Sequence, residues 1–202
     1  MSSAIFWHRR DLRIQDNAGL YKALSKHQSV QAVFIFDQEI LQHLPANDQR
    51  VLFIYQEIEK LKRAYQELGA DLKVYFGHAA TLIIELAQEM KVEVVYANRD
   101  YEPQALLRDT TVFEALKKLN IQFIGAKDQV IFEKSEVVKD DGKPYTIYTP
   151  YARKWKAKLN EFYLKPYPTE AYFQNLAKVA PTPLISLAEM GFETTHTQAF
   201  PK

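Results

Sequence analysis

The chain has 202 residues, of which 47% are apolar and 25% charged, with a formal net charge of +1 and no cysteine. This length supports one core and little more than one domain, and the missing cysteines exclude disulfides, thiolate catalysis and cysteine-bound metals. The small net charge gives no global attraction to nucleic acid or to an acidic membrane. No apolar run approaches a membrane span and the start breaks into charge too soon for a secretory signal, so we expect a cytoplasmic protein.

The first predicted strand is the apolar run at residues 4–7, which begins almost at the amino terminus. Such a run is typical of a central strand in a parallel sheet, buried on both faces. The charged residues His8, Arg9, Arg10 and Asp11 follow it directly. In open α/β sheets ligands bind beyond the carboxyl ends of strands, so these residues are either a ligand site or an internal Arg–Asp pairing that braces the loop.

Strands and helices alternate after this loop. Asp16 or Asn17 is positioned to cap a first helix, and a long amphipathic helix ends at Gly69. Short connections between these elements force parallel pairing through right-handed crossovers, which predicts an α/β fold with helices on both faces of a five-stranded parallel sheet of order 3-2-1-4-5. In this order the loops at residues 8–11 and 98–102 form the two walls of one cleft. The other strands are predicted at residues 30–36, 72–76, 92–97 and 121–124.

Beyond the fifth strand the alternation stops, and seven of the nine prolines lie at or after Pro144. This composition predicts an extended connector that lies on a folded surface. One helix inside it places four apolar side chains on one face among Lys and Arg residues: Tyr151, Trp155, Leu159 and Phe162. A basic aromatic helix can bind nucleic acid, but the helical spacing favours an amphipathic structural helix buried against another part of the protein.

Motifs for the common chemistries are missing. The six glycines are far apart, so the sequence has neither a dinucleotide-binding fingerprint nor a P-loop. No serine lies in a nucleophile-elbow pattern. The histidines show no spacing of metal ligands, so we predict no metal site; they are His8, His27, His43, His78 and His196. The chain therefore offers a cleft without catalytic residues.

Four motifs in the sequence are informative through their order and spacing. They are FWHRRDLRIQDNAGL at residues 6–20, RVLFI at residues 50–54, NRDYEP at residues 98–103 with Arg108 and Asp109 after it, and GKPYTIYTPY at residues 142–151 with Trp155 after it. In their order and spacing they resemble the amino-terminal half of DNA photolyases and cryptochromes. The resemblance runs from about residue 5 to about residue 192, which is nearly the whole chain.

The resemblance implies a Rossmann-like antenna domain at residues 1–130, an interdomain connector at residues 131–202, and a helical FAD domain to which no part of this chain corresponds. The function it implies is that of a blue-light-dependent deoxyribodipyrimidine photolyase, which repairs cyclobutane pyrimidine dimers in damaged DNA. The enzyme would then be the longer parent protein, and this segment would be inactive alone, with no catalytic residue of its own. The alternatives are the same domain of a cryptochrome photoreceptor, which repairs no DNA, and a free-standing nucleotide-binding domain.

The resemblance also implies a pocket for an antenna chromophore. In relatives with a deazaflavin or flavin antenna, the pocket residues match Arg10, Phe34, Asp37, Arg50 and Glu102. An apolar wall surrounded by carboxylates and guanidiniums suits a large planar ligand with polar edges, such as a deazaflavin or FMN. The alternative for each charged residue is an ion pair within the protein, such as Arg10 with Glu102.

Relatives with a folate antenna use a His before the second helix and an Asn-Glu pair after the NxxYE motif. His43 lies near the first position, but the pair reads Gln104 and Ala105 here, so methenyltetrahydrofolate is the weaker expectation. A further alternative is that the pocket holds no chromophore. The implied partners are damaged DNA, bound by the full-length protein, and its own helical FAD domain. If the aromatic connector helix faces a domain outside this chain, we expect the chain to expose apolar area and to dimerise through it.

Overall fold

The computed structural model describes residues 2–194 and shows an α/β fold built on one parallel sheet. The order of the strands is β3-β2-β1-β4-β5, and every neighbouring pair is parallel. The predicted fold class and strand order are therefore confirmed, and the architecture is Rossmann-like with β1 at the centre. The strands are β1 (Ser3–His8), β2 (Ser29–Asp37), β3 (Leu72–Gly77), β4 (Val94–Asn98) and β5 (Gln122–Ala126).

Helices cover both faces of the sheet, with α1 and α3 on one face and α4 and α5 on the other. The helices are α1 (Ala18–Lys26), α2 (Gln38–Leu41), α3 (Gln49–Glu67), α4 (Ala79–Glu89), α5 (Pro103–Lys118), α6 (Tyr148–Lys158) and α7 (Glu161–Leu164). Short 3-10 helices lie at Lys134–Glu136, Thr169–Asn175 and Ala188–Met190. Among residues 2–194, no helix is long and apolar enough to cross a membrane.

Each face of the sheet has its own core because side chains alternate along a strand. Phe6 lies under α1 and α3, where it packs with Tyr65, and Trp7 lies under α4 and α5, where it packs with Val112. All four side chains are fully buried or nearly so. Burying one large apolar side chain contributes about 1.5–3 kcal/mol, so both faces are needed to stabilise a sheet of this size.

The last third of the described chain returns to the sheet. Leu176, Leu187 and Met190 are buried in the core under α1 and α3. The Oγ1 hydroxyl of the buried Thr169 donates to the backbone oxygen of Ile14 at 3.0 Å. Residues 167–193 therefore contribute side chains to this core and do not only cover its surface. The domain boundary at residue 130 stays a prediction. His196 and the end of the predicted connector lie outside the described residues.

Residues 139–166 pack much less tightly. The predicted single helix is wrong in one respect: α6 ends at Lys158, and Leu159 takes an extended conformation (φ −65°, ψ 129°). Asn160 then caps α7, since its side chain accepts a hydrogen bond from the Phe162 backbone at 3.0 Å. None of the residues of α6 or α7 is buried: Tyr151, Trp155 and Leu159 are half-buried and Phe162 is exposed. Apolar area is therefore exposed here, and the packing of this face on a domain outside the chain stays a prediction.

Candidate functional site

The carboxyl edge of the sheet is formed where β1 and β4, which are paired in parallel, both end. His8 is the last residue of β1 and Asn98 the last residue of β4. The loops that follow are therefore neighbours, as the strand order predicts. The two segments are joined by a hydrogen bond from Asn98 Nδ2 to Asp11 and by the ion pairs of Arg10 with Asp100 and Glu102.

A fully hydrogen-bonded network holds these loops together beneath the surface. Asp11 is 5% exposed and accepts hydrogen bonds from the Arg9 backbone (2.9 Å), Asn17 Nδ2 (2.9 Å) and Asn98 Nδ2 (2.8 Å). Asn98 Oδ1 in turn accepts from the backbone N–H of Gly19 at 2.8 Å. A Cβ at Gly19 would lie 2.6 Å from this oxygen, so only glycine allows the helix start to approach so closely.

The same network reaches α3 through His8. Its Nε2 lies 2.7 Å from the hydroxyl of Tyr65, and its Nδ1 lies 3.0 Å from the backbone oxygen of Asp11. This pattern fits a ring whose Nδ1–H donates and whose Nε2 accepts. Burial, followed by the charge of Asp11, raises the pKa of Tyr65 well above its usual value, so Tyr65 stays a donor.

Asp11 is ionised although it is buried. Burial alone would raise its pKa, but the interactions with His8, followed by the hydrogen bonds from the Arg9 backbone and Asn17, lower the pKa to about 2. The buried carboxylate is thus stabilised by donors that come from three separate chain segments. The network fixes the position of both loops relative to the sheet.

A second, exposed network lies at the surface of the same edge. Arg10 Nε lies 3.0 Å from Asp100 Oδ2, and Arg10 Nη2 lies 2.7 Å from Glu102 Oε2. The side chains of Arg10 and Glu102 are 55% and 62% exposed. The Arg10–Glu102 ion pair is the alternative to ligand contact that the sequence predicts. Because both groups face solvent, a ligand with polar edges can compete for them.

Phe34 and Asp37, the two predicted pocket residues of β2, lie on opposite faces of the sheet. Phe34 is 6% exposed in the core under α1 and α3, with its ring centroid 4.9 Å from that of Phe36. Asp37 accepts a hydrogen bond from the Ala79 backbone (3.4 Å) at the start of α4 and lies 3.9 Å from Arg108 of α5. The two residues therefore do not line one shared wall, and both are buried.

The remaining predicted residues are Arg50, His43 and Gln104. Arg50 pairs with Asp48, the N-cap of its own helix, at 2.6 Å. Its side chain is 73% exposed. His43 and Gln104 are exposed as well. The structure thus brings Arg10 and Glu102 together with Asp100, places Asp37 near Arg108, and leaves the other predicted residues apart.

Sequence reasoning missed a second charged cluster, on the α4 and α5 face. Arg9 pairs with both oxygens of Asp109 at 2.7 and 2.9 Å. The guanidinium carbons of Arg9 and Arg108 lie 4.9 and 5.1 Å from the centre of the Trp7 ring. Burial, then the charge of Arg9, lowers the pKa of Arg108. The adjacent residues Arg108 and Asp109 are the part of this cluster that the sequence indicates. That Arg9 pairs with Asp109 is visible only in the fold.

The exposed guanidinium of Arg10 and the exposed carboxylate of Glu102 are groups with which a polar ligand can pair. Among residues 2–194, no group of three or more His, Asp or Glu side chains is placed to hold a metal ion. Two surface cavities lie elsewhere, one of about 260 Å³ on α6 and one of about 600 Å³ on α5. Arg10 and Glu102 pair at 2.7 Å between the two loops, so a ligand that binds between these side chains has to separate them.

The sequence of the chain is similar to proteins of a known family. The sequence from residue 4 to residue 171 matches the family model described as DNA photolyase. The chain belongs to the DNA photolyase family. It is 36% identical over 94% of its length to an uncharacterized 31.6 kDa protein of Synechococcus sp. strain PCC 6716, of which it covers 66%. It is 35% identical over 76% of its length to the deoxyribodipyrimidine photo-lyase of Synechococcus sp. strain PCC 6301, of which it covers 32%.

Solved structures of photolyases contain the same fold. A class III photolyase from Agrobacterium tumefaciens superposes with a TM-score of 0.79 at 22% identity, over 97% of this chain and 39% of that one. An archaeal photolyase from Sulfolobus tokodaii, described with two FAD molecules and a novel light-harvesting cofactor, superposes with a TM-score of 0.69 at 25% identity, over 91% of this chain and 43% of that one. The part of the photolyase/cryptochrome family that this chain represents is the amino-terminal domain.

Proposed function

We propose that this chain is the light-harvesting domain of a deoxyribodipyrimidine photolyase. The match to the DNA photolyase family over residues 4–171 carries the proposal, together with 35% identity to a photolyase of which the chain covers 32%. In this proposal the repair of cyclobutane pyrimidine dimers takes place in a helical FAD domain outside this chain, which also binds the damaged DNA. The domain described here collects light and passes the excitation on.

The proposed antenna site is the exposed network of Arg10, Asp100 and Glu102, with Asp37 and Arg108 beside it. A deazaflavin or FMN has a planar ring with carbonyl oxygens and an N–H at its edge. Arg10 offers donors for the oxygens, and Glu102 accepts from the N–H or from ribityl hydroxyls. Phe34 and Arg50 support the proposal less, because Phe34 is buried on the other face and Arg50 pairs with Asp48.

The repair proposal is tested with the longest natural protein that contains this chain. That protein is purified with FAD, reduced, and illuminated with blue light in the presence of DNA that contains cyclobutane dimers. We expect dimers to disappear only in the light. FAD binding without loss of dimers would reject the photolyase and indicate a cryptochrome, and a reading frame that ends near Lys202 without bound FAD would indicate a free-standing domain.

The antenna proposal is tested optically and separately. The 202-residue chain is reconstituted with a deazaflavin, with FMN or with methenyltetrahydrofolate, freed of unbound pigment, and its absorption is recorded. We expect a retained near-ultraviolet or blue band with a deazaflavin or FMN and a weaker one with the folate. If none of the three pigments is retained, the pocket of the isolated chain is empty and the antenna assignment is wrong.

A further inference from the structure

The carboxylate of Glu133 binds the loop that joins β4 to α5. Its Oε2 accepts a hydrogen bond from the hydroxyl of Tyr101 at 2.7 Å, and its Oε1 pairs with the guanidinium of Arg99. The Glu133 side chain is only 11% exposed. Burial, followed by the hydrogen bond to Glu133, raises the pKa of Tyr101 above its ordinary value, so the tyrosine keeps its proton and stays a donor. Glu133 therefore holds two side chains of one short loop.

Two other residues of the same loop form the acidic half of the proposed antenna site. Asp100 lies between Arg99 and Tyr101 in the sequence, and Glu102 follows directly. The carboxylates of Asp100 and Glu102 pair with Arg10 at 3.0 and 2.7 Å. Alternate residues of the loop thus have different partners. One set pairs across the proposed site, and the other set is bound to the predicted connector.

Glu133 is itself held in place by its neighbours. It forms a capping box with Glu136, in which the Glu133 backbone N–H donates to Glu136 Oε2 at 2.6 Å. Glu136 also pairs with Lys127, the residue that follows β5, at 2.8 Å. The next residue, Asp128, accepts a hydrogen bond from the Ala18 backbone at the start of α1 at 2.9 Å. Glu133 is therefore attached to the sheet through contacts that do not involve the β4–α5 loop.

This attachment becomes important when a ligand binds between Arg10 and Glu102. The ligand separates the two side chains, and Glu102 then loses its partner across the edge. Glu102 is the N-cap of α5 but makes no side-chain cap hydrogen bond, so the helix start does not fix its carboxylate. The contacts of Glu133 with the loop do not include Arg10, so they persist in this state. They also lie within the chain, so no further domain has to supply them.

We propose that Glu133 is a positioning residue of the antenna site. Through Arg99 and Tyr101 it fixes the acidic loop before the pigment arrives, so that binding has less ordering of the chain to overcome. This inference rests on the proposed antenna function and adds a residue of the predicted connector to it. Glu133 does not touch the pigment and acts only through the loop.

Variants of the two hydrogen-bonding partners test this role. Each chain is titrated with FMN and with a deazaflavin, followed by absorbance. Tyr101→Phe removes one hydroxyl and should weaken binding about threefold, whereas Glu133→Ala removes both contacts and should weaken it about tenfold. Glu133→Gln keeps an oxygen that accepts from Tyr101, so its affinity should lie between those of Glu133→Ala and the unchanged chain. Tyr75→Phe, which removes a hydroxyl from a half-buried tyrosine of β3, is the matched control and should bind like the unchanged chain.

A double-mutant cycle separates positioning from a general loss of structure. Glu133→Ala is repeated in a chain that already carries Glu102→Ala. Because the main group that Glu133 positions is then missing, Glu133→Ala should weaken binding only about twofold there instead of about tenfold. A variant that only loosens the fold would weaken binding by the same factor in both backgrounds. If Glu133→Ala does not fold, the same cycle is measured with Tyr101→Phe, whose threefold effect should disappear.

The outcomes distinguish this inference from the proposed function. If Glu102→Ala weakens pigment binding but Tyr101→Phe and Glu133→Gln do not, the antenna site stands and Glu133 does not position it. Equal factors for Glu133→Ala in both backgrounds would also overturn the inference, because Glu133 would then act on the fold as a whole. If the unchanged chain binds neither pigment, the antenna assignment itself is wrong, and the role of Glu133 is rejected with it.

Discussion

Two charged networks lie side by side at the carboxyl edge of the sheet, and they differ in burial. The network around Asp11 is buried and uses the hydrogen-bonding groups of Asn17 and Asn98 completely. The network of Arg10 and Glu102 is more than half exposed. The first network therefore serves the fold, since its groups have no competing partner in water, and the second is available to a ligand. Neighbouring charges in one sequence motif can thus have different roles.

The largest expected effect comes from breaking the buried network. Asp11→Ala leaves donors of Asn17 and Asn98 without acceptors, and it should lower the free energy of unfolding by about 3 kcal/mol. Urea unfolding followed by circular dichroism measures this loss. The control is Asp140→Ala, which removes a fully exposed carboxylate and should change stability by less than about 1 kcal/mol. Equal losses in the two variants would contradict the distinction between the networks.

Acid should weaken the same network. The pKa of Asp11 is about 2 in the folded protein and 3.8 in an unfolded chain, so its contribution is complete above about pH 4 and is lost as the pH falls towards 2. This difference corresponds to about 2 kcal/mol. Unfolding measured at pH 5 and at pH 2.5 should show a smaller decrease in Asp11→Asn than in the unchanged chain. A decrease of the same size would mean that Asp11 is not ionised in the fold.

Much of this architecture is readable from sequence, since apolar runs of strand length and short connections define the sheet and its order. A cap at Asp16 or Asn17 and a helix end at Gly69 were predicted because local chemistry decides them; Asn17 is the N-cap, and Gly69 has a φ of 70°. The contact of Asn98 with Gly19 was not predicted, because it joins two segments that come together only in the folded sheet. The break at Leu159 was missed although Asn160 is a capping residue.

The candidate site was predicted less completely than the fold. Arg10 and Glu102 meet as the strand order requires, but Phe34 and Asp37 are three positions apart in one strand. Alternation along a strand places residues at an odd spacing on opposite faces, so the sequence already argued against one shared wall. The cluster of Arg9, Arg108 and Trp7 depends on how α5 docks, which no local pattern reveals.

The exposed network should matter little for stability. Glu102→Ala removes one partner of a solvent-facing ion pair, and we expect the free energy of unfolding to change by less than about 1 kcal/mol. Urea unfolding of this variant and of Asp11→Ala, measured together, gives the contrast directly. A loss in Glu102→Ala as large as in Asp11→Ala would show that Glu102 has a structural role.

The most direct test of the account is the affinity of the chain for the antenna pigment. Equilibrium titration with FMN and with a deazaflavin is followed by absorbance for the unchanged chain, for Glu102→Ala and for the control Asp140→Ala. The account predicts that the unchanged chain and Asp140→Ala bind alike and that Glu102→Ala, although folded, binds about tenfold more weakly, the effect of one lost charged hydrogen bond. Pigment binding with the same affinity in Glu102→Ala would contradict the assignment of the site to this edge of the sheet.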